Sequence, residues 1–164
     1  SREVIKRAIA FGMTVLVYTQ HPAKDLEGVT YTPLESLLKE ADFVSLHCTF
    51  TPDRLNLIGR EALQMMKPTA YLVNTARGEL VDEEALYLAL KEGWIAGAAC
   101  DVFVHEPPLG SPLLGLDNFI ATPHAGARTH QAVQRMGLMA SENALKVLNG
   151  ERPEHVVNPQ VYEK

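Results

Sequence analysis

The chain has 164 residues, 46% of them apolar, and a formal net charge of −5, which fits one domain with a real core and offers no basic footprint for nucleic acid. No apolar run approaches the roughly 20 residues of a membrane span, and the N-terminus carries no signal-peptide pattern. Cys48 and Cys100 lack a CxxC spacing and read as structural thiols of a reducing, cytoplasmic compartment.

Residues 2–11 carry Val4, Ile5, Ala8 and Ile9 at helical spacing, with Gly12 as a cap. The run 14–18 predicts a strand, 33–41 a short helix and 43–47 the next strand. A weak helical turn is predicted at 59–66, then a strand at 70–74. Asp82 is an N-cap, with Val81 and Leu86 placed as a hydrophobic staple, and Gly93 closes that helix. Strands are predicted at 95–100 and 119–122. The longest helix, 130–149, carries Val133, Met136, Ala140, Ala144, Val147 and Leu148 on its apolar side and stops at Gly150. Alternating strands and helices, with near-continuously apolar strands, predict an α/β fold: a doubly wound parallel sheet covered on both faces. The Pro- and Gly-rich loop 102–117 is of the long kind that is functional or disordered, and the tail 151–164 reads as an extended exit segment.

Three loops each follow a predicted strand and hold one reactive residue: Arg77, Glu106 and His124. In a parallel sheet such loops emerge at the same edge. An arginine there can grip a carboxylate with two parallel hydrogen bonds. A histidine can move a proton, and a glutamate can orient the histidine. Each also has an ordinary reading. Arg77 could pair with a neighbouring acid, Glu106 could be a solvated loop charge, and His124 could be a turn residue satisfied by backbone. Asp101 ends a strand and either caps a local turn or contacts a ligand. His21, His47, His105, His130 and His155 share no metal spacing, so no metal site is expected. There is no GxSxG elbow and no P-loop.

The segments REVIKRAIAFGM, LHCTFTPDRLNLIG, MKPTAYLVNTARGELVDEEAL, GAACDVFVHEPPLGSPL and NFIATPHAGA together resemble the D-isomer-specific 2-hydroxyacid dehydrogenases, from Arg2 to Pro159. The resemblance implies a Rossmann-like NAD(P)-binding domain over residues 1–150 and an exit segment, 151–164, toward a substrate domain. It implies hydride transfer between NAD or NADP and a D-2-hydroxy acid/2-keto acid pair, in a homodimer formed through the nucleotide-binding domain. Arg77 matches the substrate-carboxylate arginine, His124 the acid/base histidine and Glu106 its acidic partner. Asp101 matches the residue at the nicotinamide carboxamide, and Gly126 falls within the cofactor site. His47, Cys48 and Thr51 match the loop beside the adenosine and ribose, and Thr75 and Ala76 lie beside the nicotinamide ribose.

Two departures from the family pattern follow. Thr19 stands where NAD-preferring members carry an acid that excludes a 2′-phosphate. Gln20, His21 and Pro22 bring no arginine, and Lys24 is the remaining candidate cation. The GxGxxG fingerprint and first strand would precede Arg2, so an N-terminally incomplete domain with an open slot in its sheet is expected. Two rival readings share much of this pattern. One is an NADH-binding transcriptional corepressor of the same fold. The other is a formate dehydrogenase, which carries glutamine where Glu106 stands.

Overall fold

Short β-branched runs alternate with amphipathic helices, and the computed structural model describes residues 1–23 and 25–163. The order is α1 (Arg2–Ala10), β1 (Val15–Val17), β2 (Val29–Tyr31), α2 (Leu34–Glu40), β3 (Phe43–Leu46), α3 (Arg60–Met65), β4 (Tyr71–Asn74), α4 (Glu83–Lys91), β5 (Gly97–Cys100), β6 (Phe119–Ala121) and α5 (His130–Leu148). Strand β2 is not among the predicted elements. Its three residues, Val29, Thr30 and Tyr31, are strong strand formers but too few to display a period.

Every strand pair is parallel. The strands form two sheets, β1–β2 and β3–β4–β5–β6. Leu72 of β4 lies between Val44 and Ala98 and is fully buried. Over this face close Leu38 of α2, Leu63 of α3, and Leu86 and Leu90 of α4. The Asp82 carboxylate accepts from the Ala85 N–H at 3.0 Å and starts α4, while Val81 and Leu86 both join the core.

The other face of the larger sheet differs from the expected cover on both sides. Burial alternates along β3 and β4, leaving Phe43, Tyr71 and Ile120 exposed. Phe43 and Tyr71 stack with ring centroids 5.5 Å apart. A Cβ on the neighbouring Gly97 would press into the Tyr71 ring, so glycine makes room for that stack. Apolar character along these strands thus marks two faces, of which the helices α2, α3 and α4 cover one.

Among the described residues no ladder joins β1 to β3. Between them lies a cleft of about 860 Å³, lined by Val15, Leu16 and Val17 on one side and Phe43, Val44 and Ser45 on the other. This is the slot expected in the sheet, and it leaves the facing strand edges unpaired.

Residues Ser1–His124 and Ala125–Lys164 form two units. The second contains α5, capped by Thr129, whose hydroxyl accepts from the Ala132 N–H at 3.1 Å. Its apolar residues Val133, Met136, Val147 and Leu148 are exposed. Among the described residues no helix is long and apolar enough to cross a membrane, and both cysteines are free thiols.

Candidate active site at the carboxyl ends of the strands

Strand β4 ends in Asn74, the one buried polar side chain of the described core, with 1% of its surface exposed. Its amide nitrogen donates to the Arg77 carbonyl at 2.8 Å, and its amide oxygen accepts from the Ala76 N–H at 3.0 Å. The side chain therefore substitutes for a missing backbone partner and holds the Thr75–Arg77 turn. The turn presents Arg77 outward, with the guanidinium donating to the Ala76 carbonyl at 2.7 Å. Among the described residues no salt bridge includes Arg77, so the neighbouring acid of its ordinary reading does not engage it.

Gly78 follows. A Cβ there would overlap the backbone of Phe103 and Val104. Glycine thus lets the turn after β4 press directly on the loop after β5. Glu83 of α4 fixes the same loop by accepting from the Val104 N–H at 2.8 Å. Glu106 folds back to accept from the Phe103 N–H at 3.1 Å. Its other carboxylate oxygen meets His124 Nδ1 at 2.8 Å. That contact, reinforced by the Phe103 N–H, holds the Glu106 carboxyl below the usual carboxylate range.

His124 has φ of 50°, in the left-handed region that only a few non-glycine residues adopt. Its N–H donates to the Thr122 carbonyl at 3.0 Å. The Thr122 hydroxyl donates to the Asp101 carboxylate, and the Asp101 N–H donates to the Asn74 carbonyl at 2.9 Å. These bonds tie the ends of β4, β5 and β6 together.

A second group surrounds the loops after β1 and β3. The Thr19 hydroxyl accepts from the His21 N–H at 3.2 Å. His47 Nε2 lies 2.9 Å from the Ser45 hydroxyl. Thr19, His47 and Cys48 all line the cleft between β1 and β3. Arg54, 34 positions beyond Gln20, donates to the Gln20 side-chain oxygen at 3.0 Å and to the Thr49 carbonyl at 2.9 Å. Thr75 is exposed and Ala76 half-buried on the β4 turn, Gly126 lies in the second unit, and Lys24 lies outside the described residues.

The residues present fit the nicotinamide dinucleotide that the resemblance implies. The Thr51 hydroxyl is buried without a hydrogen-bond partner, an orphan that a ligand group would satisfy. Cys100, by contrast, stays a protonated thiol near neutral pH, because burial pushes it up to about 12. No cluster of metal-ligating side chains occurs among the described residues. Asn74, Gly78 and Arg54 are absent from the sequence-based candidates. A polar residue closing an apolar strand was the available signal for Asn74. Nothing local in the sequence links Arg54 to Thr19, since each follows a strand of a different sheet.

Residues 1–126 match the family model described as D-isomer specific 2-hydroxyacid dehydrogenase, NAD binding domain. The chain is 50% identical over 162 residues to the glyoxylate reductase of Korarchaeum cryptofilum, covering 96% of this chain and 49% of that protein. Among solved structures it is similar to the TT0316 protein of Thermus thermophilus, with a TM-score of 0.87, 48% identity, and coverage of 94% of this chain and 49% of that one. It is also similar to the Aquifex aeolicus D-lactate dehydrogenase complexed with NAD and lactic acid, with a TM-score of 0.83, 36% identity, and coverage of 90% and 50%. The chain spans about half the length of these relatives.

Proposed function

The chain belongs to the D-isomer-specific 2-hydroxyacid dehydrogenases, within their NAD-binding domain, and on that premise we propose that it is the cofactor-binding portion of an enzyme interconverting a 2-keto acid and a D-2-hydroxy acid. The observation that carries the proposal is the 2.8 Å contact between His124 Nδ1 and Glu106. A carboxylate on Nδ1 fixes the ring and leaves Nε2 as the nitrogen that exchanges a proton. The bound cofactor, NAD or NADP, supplies the hydride chemistry. Arg77, outward-facing and in no salt bridge among the described residues, holds the substrate carboxylate. His124 gives a proton to the keto oxygen in reduction and takes it back in oxidation. Thr19, His47, Cys48 and Thr51 hold the adenosine side, and Thr75, Ala76 and Asp101 the nicotinamide side. Glu106 argues against a formate dehydrogenase, whose reaction needs no proton shuttle.

Residues 1–150 form the nucleotide-binding domain in this reading, and 151–164 lead to a substrate domain. The whole protein is a cytoplasmic homodimer formed through the nucleotide-binding domain. Glyoxylate and hydroxypyruvate are the first substrates to test, with NADH and NADPH, on the full-length protein. Steady oxidation of the cofactor supports the dehydrogenase. Cofactor binding and capture of a short peptide motif, without turnover, would instead favour the corepressor reading.

A further inference from the structure

We infer that Arg54, with Gln20 and His21, forms a subsite for the 2′-phosphate of an adenine dinucleotide, so that the protein favours NADPH. The inference rests on the cofactor reading above and goes beyond it by assigning the discriminating residue. The loop after β1 carries no cation of its own in Thr19, Gln20, His21 and Pro22. The fold supplies one from the turn after β3, where Arg54 Nη2 meets the Gln20 side-chain oxygen at 3.0 Å. Thr19, Gln20, His21 and Arg54 line the same cleft.

The partners of this arginine carry the argument. Arg2 and Arg7 are neutralised by Asp25 and Glu3. Arg54 is held by an amide oxygen and by the Thr49 carbonyl, both uncharged. Among the described residues no salt bridge includes it. It is therefore a positioned cation with its full charge available and with further N–H donors in its fork. A guanidinium so held suits a phosphate dianion better than a ribose hydroxyl. Thr19 adds no repulsion, and its hydroxyl fixes the His21 backbone at 3.2 Å. Asp53, Glu40 and Asp42 also line the cleft and are anions working against this site, which keeps the preference finite.

The test uses the full-length protein and equilibrium binding. NADPH and NADH are titrated by fluorescence. Adenosine 2′,5′-bisphosphate and 5′-AMP, which differ only by the 2′-phosphate, are titrated by calorimetry. The wild type is expected to bind the bisphosphate about tenfold tighter than 5′-AMP, as one charge-assisted contact allows. Arg54→Ala should remove that advantage and lower the NADPH:NADH affinity ratio about tenfold, with Arg54→Lys keeping part of it. Gln20→Glu places a carboxylate against the guanidinium and should lower the same ratio, so a folding defect in Arg54→Ala leaves the question decidable. An unchanged ratio in both variants, or equal loss for both dinucleotides, overturns the inference while leaving the cofactor reading standing. A wild type that binds neither dinucleotide overturns both.

Discussion

His124 adopts the left-handed backbone region at φ 50°, where histidine is among the few side chains found with any frequency. Strain of that kind persists where surrounding bonds over-determine it, and here the Thr122 carbonyl and Glu106 do so. His124→Ala in the full-length protein should lower kcat by roughly 10²–10⁴, the usual range for acid/base catalysis, in steady-state assays with a keto acid. Arg77→Ala should raise KM for the keto acid, and a loss confined to cofactor affinity would sink its assigned role. Glu106 titrates below its ordinary value near 4.5 because His124 and the Phe103 N–H favour the anion. A depressed carboxylate adds stability above its unfolded value and loses it as pH falls through the folded value. The Glu106–His124 contact should therefore survive into the range below pH 4.5, with the carboxyl carbon midpoint in an NMR titration as the check. Cys100, pushed up to about 12 by burial and by Glu83, stays a neutral thiol between pH 7 and 9. A thiol reagent at pH 8 should modify Cys48 and spare Cys100 until the protein unfolds, and peptide mapping would reveal the opposite.

At the scale of elements, the site depends on two loops pressed together. The turn after β4 carries Arg77, the loop after β5 carries Glu106, and Gly78 is their point of closest approach. Gly78→Ala should force backbone from backbone and destabilise by about 1–3 kcal/mol, as overpacking does. It should also reduce activity, because it separates the arginine from the glutamate. Asp82→Ala removes only the α4 cap and should lower stability by about 1 kcal/mol, with denaturant titrations of both variants as the check. Near-wild-type activity in folded Asp82→Ala protein, beside impaired Gly78→Ala, would separate helix stability from loop placement. Equal behaviour of the two variants would show that the loop contact does not matter.

For the whole molecule, the cleft between β1 and β3 is the dominant feature. Among the described residues no ladder joins the two facing strands. Amides of β1 and β2 should exchange with solvent well before those of β4, which is flanked by strands on both sides. The chain spans about half the length of the relatives it matches. Residues 1–164 on their own should bind NADH more weakly than the full-length protein and turn over no keto acid. Micromolar affinity with steady turnover from this chain alone would refute that expectation.

The alternation of apolar runs and caps was enough to locate β1, β3, β4, β5 and β6 and the five helices, because periodicity and end signals such as Asp82 and Gly93 are local properties. The family motifs likewise marked Arg77, Glu106 and His124, since each occupies a fixed offset after a strand. Strand β2 was not legible, because three residues carry no period and only pairing with β1 makes them a strand. Neither were the second, uncovered face of the sheet and the pressing of Gly78 onto Phe103, because apolar character alone does not say which neighbour covers a face. The approach of Arg54 to Gln20 belongs to the same class. Residues 34 positions apart share a charge environment only when the fold brings their loops together. Local pattern determined which elements form and which residues are candidates for chemistry, while three-dimensional proximity decided which of those residues lie together.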